Sequence, residues 1–541
     1  MGLWTLKNKK ILVVDDFAEM RSMLRSMLRA YGAEEIKQAS NGEDAVEAIA
    51  NHKFDIILCD YNLGEGKDGQ QVLEESKLRG ILPLATTFIM VTAENTSTMV
   101  MGALEYQPDA YLSKPVTKLT LQTRLKKILE KKEFTKEISL AIDKKEYGKA
   151  ARLCDQEMAN HPALRLELLG TRYNLLITTG DYEAAETVCK QVLVDRDVPW
   201  AQLGLARVYF AQQKYDEAKA LLEEIIADNG DFIAAYDLLS KTQKKLGDPE
   251  TAEQTLARAI EKSPKSLMRQ RQLGELATIN GNFGVAERAR RDAMLIGKHS
   301  VLKQPDDYVN YSHILVKNNK GKEALRIAGN IKNAFKGDSD ARLQAEICTS
   351  TVFQELGNDT RAQEAMDAAL ALYQSSGAIG SSSAGLALAK NCLKYGREEE
   401  ADAIIKEVAR NNHENEAVLN EINQTYEAAG LGDRAEEKIA EAINEVAQIN
   451  NEGVQLINEG KIAESIGLFK KAASALPHNH VISLNTAHSY ILLMKKEGAS
   501  KKHLDEAMHY LNAIKDVDDA SIKRGELMKN CREIAQQAGL S

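Results

Sequence analysis

The stretch Ile-Leu-Val-Val-Asp-Asp at positions 11–16 decides the class of fold for the first part of the chain. Four consecutive apolar residues predict a strand that is buried on both faces, as in a parallel sheet. Similar segments follow at 56–59, 88–91 and 110–112, with a weaker one at 35–39 and helical patterns between them. This alternation predicts an α/β doubly wound domain with a five-stranded parallel sheet over residues 9–130, preceded by an extension of residues 1–8.

A different pattern begins near residue 131, where strand signals stop and an alanine recurs at a nearly constant interval. An aromatic or turn residue precedes most of these alanines by three positions, and the first spacings are 35, 33, 34 and 34 residues. A 34-residue period is that of the tetratricopeptide repeat, a helical hairpin. We therefore expect an all-α solenoid of ten to eleven hairpins over 131–541. It should be less regular over 298–400, where the spacings rise to 38 and 39. The markers are Ala150, Ala185, Ala218, Ala252, Ala286, Ala324, Ala362 and Ala401.

Polar residues follow the predicted strands of the first domain. Asp15 and Asp16 follow the first strand, Asp60 the third, Thr92 the fourth and Lys114 the fifth. Because parallel sheets bring ligands to the carboxyl ends of their strands, we expect these side chains to converge. Three adjacent carboxylates form a hard oxygen site suited to Mg²⁺, and one of them could attack a phosphorus atom in line. A lysine and a hydroxyl would bind the remaining phosphoryl oxygens.

On these residues, the segment 9–130 resembles the receiver domain of bacterial two-component response regulators, the CheY-like and flavodoxin-like fold. The resemblance implies that Asp60 is the phosphoacceptor, with Thr92 as the switch hydroxyl and Lys114 as the phosphoryl-contacting lysine. It implies Mg²⁺ binding by Asp15, Asp16, Asp60 and the backbone carbonyl of Asn62. It also implies a Mg²⁺-dependent self-phosphorylation from a phosphodonor and an autodephosphorylation, in place of a conventional enzymatic activity.

Four further positions take their roles from the same resemblance. Tyr111 would be the rotating aromatic residue, and the Lys114–Pro115 bond is expected to be cis. Asn62 and Glu94 occupy the positions that tune the phosphoryl lifetime, and their pairing resembles short-lived, chemotaxis-type receivers. We therefore expect a transient phosphoryl group. The loop 60–69 is one residue longer than usual and lacks the common Met-Pro pair.

Composition limits the remaining classes of function. The formal net charge of −9 argues against a general nucleic-acid binder. The six cysteines lie far apart and are expected to be reduced and packed as apolar residues. No apolar stretch is long enough to span a bilayer, and the start lacks a signal-peptide pattern, so we expect a cytoplasmic protein without a membrane partner. The motif His478-Asn479-His480 is interpreted as a solvated loop.

The first helix of each hairpin should line a concave binding face. Aligning the repeats by their alanines places an aromatic pair beside a basic stripe, which would suit an acidic, partly apolar peptide. The alternative is that the lysines are solvated and Trp200 packs on the preceding hairpin. The candidate groove residues are Trp200, Arg207, Phe210, Lys241, Lys244, Lys245, Met268 and Arg271.

Together these features favour a response regulator whose phosphorylation, by a histidine kinase or phosphotransfer protein, switches a scaffold that binds a partner protein. The apolar stripe of the last receiver helix continues into the first repeat, so a helix-to-helix junction is expected. Phosphorylation would then change the face near Tyr111 and reposition the repeats, or drive homodimerisation. The alternatives are a transcription or RNA regulator that contacts nucleic acid, and a phosphate sink with no output.

Overall fold

The computed structural model describes residues 4–93, 107–376, 381–514 and 518–538. It divides into two compact units, Met1–Asn318 and Asn319–Ser541. The first unit contains an α/β domain and the first helical hairpins, and the second is helical in its described residues. The predicted fold class, a parallel α/β domain followed by an all-α repeat region, is confirmed.

The α/β domain is built on a five-stranded sheet with the strand order β2-β1-β3-β4-β5, all parallel. The three central strands, β1, β3 and β4, are almost wholly buried, which explains why their sequences are continuous apolar runs. Asp60 and Thr92 are the last residues of their strands, so each strand ends one residue later than the sequence pattern indicated. The strands are β1 (Lys10–Val14), β2 (Glu35–Ala39), β3 (Ile56–Asp60), β4 (Thr87–Thr92) and β5 (Ala110–Ser113).

Helices pack on both faces of this sheet and divide the apolar core into two layers. Leu24, Leu28, Leu121 and Leu125 lie in one layer, and Val46, Val72 and Leu73 lie in the other. The described helices of this domain are α1 (Ala18–Ala30), α2 (Gly42–Asn51), α3 (Gly69–Leu78) and α4 (Lys118–Phe134).

The rest of unit 1 consists of consecutive antiparallel hairpins. The marker alanines are fully buried where neighbouring helices meet, because a small side chain allows close approach; Ala150, Ala185 and Ala218 are each 0% exposed. The helices are α5 (Lys136–Asp143), α6 (Tyr147–Asn160), α7 (Arg165–Thr179), α8 (Tyr182–Asp195), α9 (Pro199–Ala211), α10 (Tyr215–Asp228), α11 (Ile233–Lys245), α12 (Pro249–Lys262), α13 (Leu267–Ile279), α14 (Phe283–Gly297) and α15 (Pro305–Lys317).

Unit 2 continues the hairpin pattern, and two of its helices are longer, which accounts for the spacings of 38 and 39 residues after Ala324. The 38-residue spacing from Ala286 to Ala324 includes the long connection 298–304. Helices α17 and α18 have 17 and 18 residues, against 13 or 14 in a typical hairpin of unit 1. Helix α22 has 27 residues and supplies the end of one hairpin and the start of the next. The helices are α16 (Gly321–Ala334), α17 (Ser339–Glu355), α18 (Asp359–Ser376), α19 (Ser382–Lys394), α20 (Glu398–Asn411), α21 (Glu416–Ala428), α22 (Gly432–Asn458), α23 (Ile462–Ala475), α24 (His480–Glu497), α25 (Lys501–Ala513) and α26 (Asp518–Gln537).

The junction between the domain and the repeats is short. Helix α4 ends at Phe134, and α5 begins two residues later, so the connection is helix to helix with one break at Thr135. Lys132 Nζ binds the carbonyl oxygens of Leu84 and Thr86 and lies 2.9 Å from an Asp109 carboxylate oxygen. Contacts to the sheet domain therefore extend beyond residue 130.

Three observations bear on the other expectations from the sequence. All six cysteines are free and buried, as predicted. Asn479 is fully buried rather than solvated, because its amide binds the carbonyl oxygen of Arg410 at 2.6 Å and caps α24. Among the described residues, no helix is both long enough and apolar enough to cross a bilayer.

Candidate functional site

The predicted phosphoacceptor lies in a compact ionic cluster at the carboxyl edge of the sheet. Lys114 Nζ is 2.8 Å from Asp60 Oδ2 and 2.9 Å from Asp15 Oδ2, so one cation bridges two carboxylates. Asp60 is 5% exposed and Asp15 is 0% exposed. The sheet brings these residues together although the chain separates Asp15 and Lys114 by 99 positions.

Burial and neighbouring charge set the electrostatics of the cluster. Burial raises the pKa of Asp60, while the hydrogen bond and charge of Lys114 oppose this, and Asp15 and Asp16 reinforce it. Burial alone would lower the pKa of Lys114, but its bonds to Asp60 and Asp15 raise it. One lysine thus partly compensates three clustered carboxylates, which leaves an excess of negative charge.

The donor set fits a hard divalent cation. One oxygen from each of Asp15, Asp16 and Asp60 lies within 4.8 Å of the others. Asp16 Oδ1 is buried and accepts no hydrogen bond, which is costly for a carboxylate unless a cation compensates it. Carboxylate oxygens in such a cluster are the ligands that Mg²⁺ prefers.

The loop after β3 packs closely on Asp60, the predicted acceptor, through a glycine that sequence reasoning did not single out. Gly69 N–H donates to the Tyr61 carbonyl oxygen at 2.8 Å. A Cβ atom at Gly69 would lie 2.1 Å from the Asp60 carbonyl oxygen. No larger residue fits here without movement of the backbone.

Arg21 is a second residue that the sequence patterns did not identify. Its Nη1 atom donates to the Asp15 carbonyl oxygen at 2.6 Å, from the first turns of α1. The Phe17 N–H donates to Asp15 Oδ1 at 2.9 Å. Both contacts orient Asp15. The only sign of Phe17 and Arg21 in the sequence was that they come shortly after the acidic pair.

The remaining predicted receiver positions lie around the cluster. Thr92 is buried at the end of β4, and Asn62 is exposed in the loop after β3. Tyr111 is half-buried on β5, and burial raises the pKa of its hydroxyl. The Lys114–Pro115 peptide bond is cis. Glu94 lies outside the described residues.

The candidate groove residues differ in whether their side chains are exposed to solvent or packed against neighbouring residues. Arg207, Lys241 and Lys245 are exposed. Trp200 packs on the preceding hairpin, with its ring centroid 6.0 Å from that of Tyr173, as the alternative interpretation proposed. Phe210 contacts Tyr215 edge to face at 5.4 Å.

Two of the predicted groove cations are bound within the chain. Arg271 forms two 2.7 Å hydrogen bonds to Asp307 and a third to the Leu302 carbonyl oxygen, so its charge is compensated internally. Lys244 forms an ion pair with Glu275 in the next hairpin. Met268, beside Arg271, is partly exposed. The basic stripe is thus smaller than the sequence predicted, because neighbouring repeats supply acidic partners.

Comparison with known proteins agrees with both parts of the chain. Residues 11–126 match the response regulator receiver domain family, and residues 176–242 and 234–266 match tetratricopeptide repeat families. Chemotaxis protein CheY-3 of Vibrio cholerae is 32% identical over 125 residues, which is 23% of this chain and 95% of that protein. Chemotaxis protein CheY of Pseudomonas aeruginosa is 31% identical over 126 residues, or 23% of this chain and 97% of that protein.

Solved structures resemble each part separately. A CheY-like receiver domain protein from Methanospirillum hungatei is 30% identical, with a TM-score of 0.21, 23% of this chain covered and 96% of that chain. A tetratricopeptide repeat protein from Parabacteroides merdae is 15% identical, with a TM-score of 0.30, 44% of this chain covered and 92% of that chain. Through residues 11–126, the chain belongs to the response regulator receiver family, and tetratricopeptide repeats follow its receiver domain.

Proposed function

We propose that this protein accepts a phosphoryl group on Asp60 and that the modification changes how its helical repeats bind a partner protein. The observation that carries the proposal is the buried cluster in which Lys114 bridges Asp60 and Asp15. A cytoplasmic histidine kinase or phosphotransfer protein would supply the phosphoryl group. A soluble acyl phosphate would replace it in vitro.

The chemistry assigned to each residue follows from its position. A carboxylate oxygen of Asp60 attacks the phosphorus atom, and the bond from phosphorus to the donor group breaks. Lys114, which already contacts Asp60, then binds a phosphoryl oxygen, and the hydroxyl of Thr92 binds another. Hydrolysis of the acyl phosphate by water restores the Asp60 carboxylate.

The residues that would hold Mg²⁺ are Asp15, Asp16, Asp60 and the carbonyl of Asn62. The clustered carboxylates and the unpartnered oxygen of Asp16 support this assignment. When bound, the cation neutralises the charge that accumulates on the phosphoryl oxygens. Arg21 and the Phe17 N–H keep Asp15 oriented for this role.

The repeats are the proposed output. Solenoids of this kind bind extended peptides or helices. The exposed Arg207 shares the first helix of one hairpin with Phe210, and the exposed Lys241 and Lys245 lie on the first helix of the next hairpin. An acidic, partly apolar segment of a partner protein fits these side chains.

Labelling with an acyl phosphate tests the acceptor. We expect acetyl phosphate and Mg²⁺ to add one phosphoryl group, detected by intact-protein mass spectrometry, and we expect Asp60→Asn to abolish it. Asp55→Asn, directly before the same strand and bonded to the Lys10 N–H, is the matched control and should label normally. Normal labelling of Asp60→Asn would refute the assignment.

The lifetime of the phosphoryl group is a second test. Because Asn62 and Glu94 resemble the pairing of short-lived receivers, we expect the label to decay within minutes after the donor is removed. Removal of Mg²⁺ by a chelator should slow the decay. A label that persists for many hours in the presence of Mg²⁺ contradicts the prediction.

Affinity capture addresses the output. Proteins retained by the wild-type chain treated with beryllofluoride and Mg²⁺, but not by Asp60→Ala, would be the regulated partners. Substitution of Arg207 and Lys241 by glutamate should weaken their retention, since it reverses the charge of the groove. Equal retention by the wild-type chain, by Asp60→Ala and by the variant with glutamate at 207 and 241 would contradict a phosphorylation-gated scaffold.

A further inference from the structure

The loop and helix that follow the acceptor strand are docked on a distant segment of the repeats. This docking segment, residues 296–303, comprises the end of α14 and the connection to α15. Lys67 Nζ donates to the His299 carbonyl oxygen at 2.8 Å, and Gln71 Nε2 donates to the Ile296 carbonyl oxygen at 3.1 Å. Both sides of the contact belong to unit 1, although 232 and 225 positions separate them.

The contact buries charge on the outer face of α3. Glu74 and Glu75 are 9% and 8% exposed, which is unusual for carboxylates on a helix beside a loop. The Ser300 hydroxyl donates to Glu74 Oε2 at 3.1 Å, and Lys67 Nζ lies 3.4 Å from Glu75 Oε2. Arg79 provides Glu75 with a second cation at 2.9 Å.

A second contact joins the repeats to the residue after the acceptor. Lys265, in the connection between α12 and α13, places its Nζ atom 5.4 Å from the centroid of the Tyr61 ring. A cation over an aromatic face at this distance is attractive. The repeats therefore contact both ends of the loop 61–68, which begins directly after Asp60.

We infer that docking of the loop 61–68 and α3 on residues 296–303 is the route by which phosphorylation at Asp60 reaches the repeats, and that phosphorylation weakens this docking. The inference rests on the proposed acceptor function. It assigns the phosphorylation-dependent change to the loop 61–68 beside Asp60, whereas the sequence predicted that change at the face near Tyr111.

The direction follows from the role of Lys67. Its ammonium group contacts both the buried Glu75 and the docking segment, and it lies in the loop whose Asn62 carbonyl is the proposed metal ligand. Gly64 and Gly66 adopt positive φ angles of 75° and 103°, which gives the loop conformations that other residues rarely adopt. A rearrangement of the loop would withdraw Lys67 and leave buried carboxylates less compensated, which disfavours the docked state.

Hydrogen–deuterium exchange on the full-length chain tests the inference. With beryllofluoride and Mg²⁺, a stable substitute for the acyl phosphate, we expect backbone amides in 296–303 and in α3 to exchange about tenfold faster, within the usual range of coupling between sites. The Asp60→Asn protein should show no change under the same conditions.

A variant on the repeat side isolates the contact from the chemistry. Ser300→Asp places a second carboxylate against Glu74, while its side chain can still accept the hydrogen bond that Ser300 takes from the Leu302 N–H. We expect it to speed exchange in α3 without beryllofluoride and to raise the affinity of the chain for beryllofluoride several-fold, because the coupling between binding equilibria is reciprocal. Asn229→Asp adds the same charge to an exposed connection between α10 and α11 and should change neither quantity. Ser300→Ala, which removes the hydrogen bonds of Ser300 to Glu74 and Leu302 without adding a charge, gives a milder version if the aspartate variant does not fold.

The outcomes separate this inference from the proposed function. If beryllofluoride alters exchange at the acceptor cluster but not in 296–303, and Ser300→Asp binds beryllofluoride with the wild-type affinity, the docking does not carry the signal. If neither beryllofluoride nor acetyl phosphate acts on the wild-type chain, the acceptor assignment itself is wrong. Faster exchange in 296–303, absent in Asp60→Asn, supports the inference.

Discussion

Gly69 illustrates how one residue can constrain the loop that follows Asp60. Its α-carbon faces the Asp60 carbonyl oxygen so closely that a Cβ atom would lie 2.1 Å away. We expect Gly69→Ala to lower the free energy of unfolding of the receiver by about 1–3 kcal/mol, as overpacking in a tight site does, and to slow labelling by acetyl phosphate. Urea denaturation and mass spectrometry measure the two effects.

Gly148 is the matched control for this substitution. It lies exposed in α6, and a Cβ atom there would meet nothing within 4 Å. Gly148→Ala should leave stability unchanged or raise it slightly, because alanine has the better helix propensity. Equal effects of the two alanine substitutions would show that the contact at Asp60 does not constrain residue 69.

Between elements, the ion pair of Arg271 and Asp307 joins α13 to α15. The two side chains are 13% and 3% exposed, and the guanidinium also binds the Leu302 carbonyl oxygen. Arg271→Ala leaves a buried carboxylate without its cation, so we expect a loss of about 3–5 kcal/mol. The urea midpoint of the unit 1 transition measures it.

Two further variants distinguish charge from packing at this pair. Arg271→Met combined with Asp307→Leu removes both charges and should recover most of the stability, since apolar pairs can replace buried ion pairs. Lys262→Ala breaks the more exposed pair with Asp231 and should change the midpoint little. If Arg271→Ala is as mild as Lys262→Ala, the buried pair does not stabilise the junction of α13 and α15.

Two loops of unit 2 meet at His413, which should make the stability of unit 2 depend on pH. Burial lowers the pKa of His413, although Glu414 opposes this, and Asn479 Nδ2 lies 3.2 Å from His413 Nδ1. Burial also lowers the pKa of His480 nearby, with His478 and His413 adding to the shift and Glu414 opposing it. Because the unfolded chain then binds protons that the folded chain does not, stability should fall as pH drops below about 6.5.

Comparing the pH dependence of stability between variants shows which histidine is responsible. Each such histidine contributes at most about 1.4 kcal/mol per pH unit. We expect His413→Asn to flatten the dependence of the unit 2 melting temperature between pH 7 and pH 5, whereas the exposed His509→Asn should leave it unchanged. An unaltered slope in His413→Asn would assign the dependence to other groups.

At the scale of the whole molecule, the boundary between compact units falls after residue 318 and not after the receiver. A fragment of residues 1–318 should therefore label with acetyl phosphate and melt as unit 1 does in the full chain. A fragment of residues 1–130 lacks Lys132, which binds Leu84, Thr86 and Asp109, and lacks the docking segment. We expect it to melt at a lower temperature and to be cut faster by proteases; equal stability of the two fragments would contradict this.

Much of the molecule follows from the sequence alone. The apolar runs predicted the parallel sheet, and the parallel sheet brings Asp15, Asp60 and Lys114 to one edge because all its strands end there. The recurring alanines predicted the hairpins because each small residue marks a close approach of helices. These features depend on local periodicity, which neighbouring residues encode directly.

Only the tertiary structure decided which polar side chains meet between repeats. The sequence predicted Arg271 to be a groove cation, but it pairs with Asp307. It predicted Asn479 to be solvated, but the Asn479 amide binds the Arg410 carbonyl oxygen. The docking of α3 on residues 296–303 joins positions more than two hundred apart. Such pairings depend on how the hairpins stack, which no local pattern specifies, whereas the meeting of Asp15, Asp60 and Lys114 was already predicted from the residues at the strand ends.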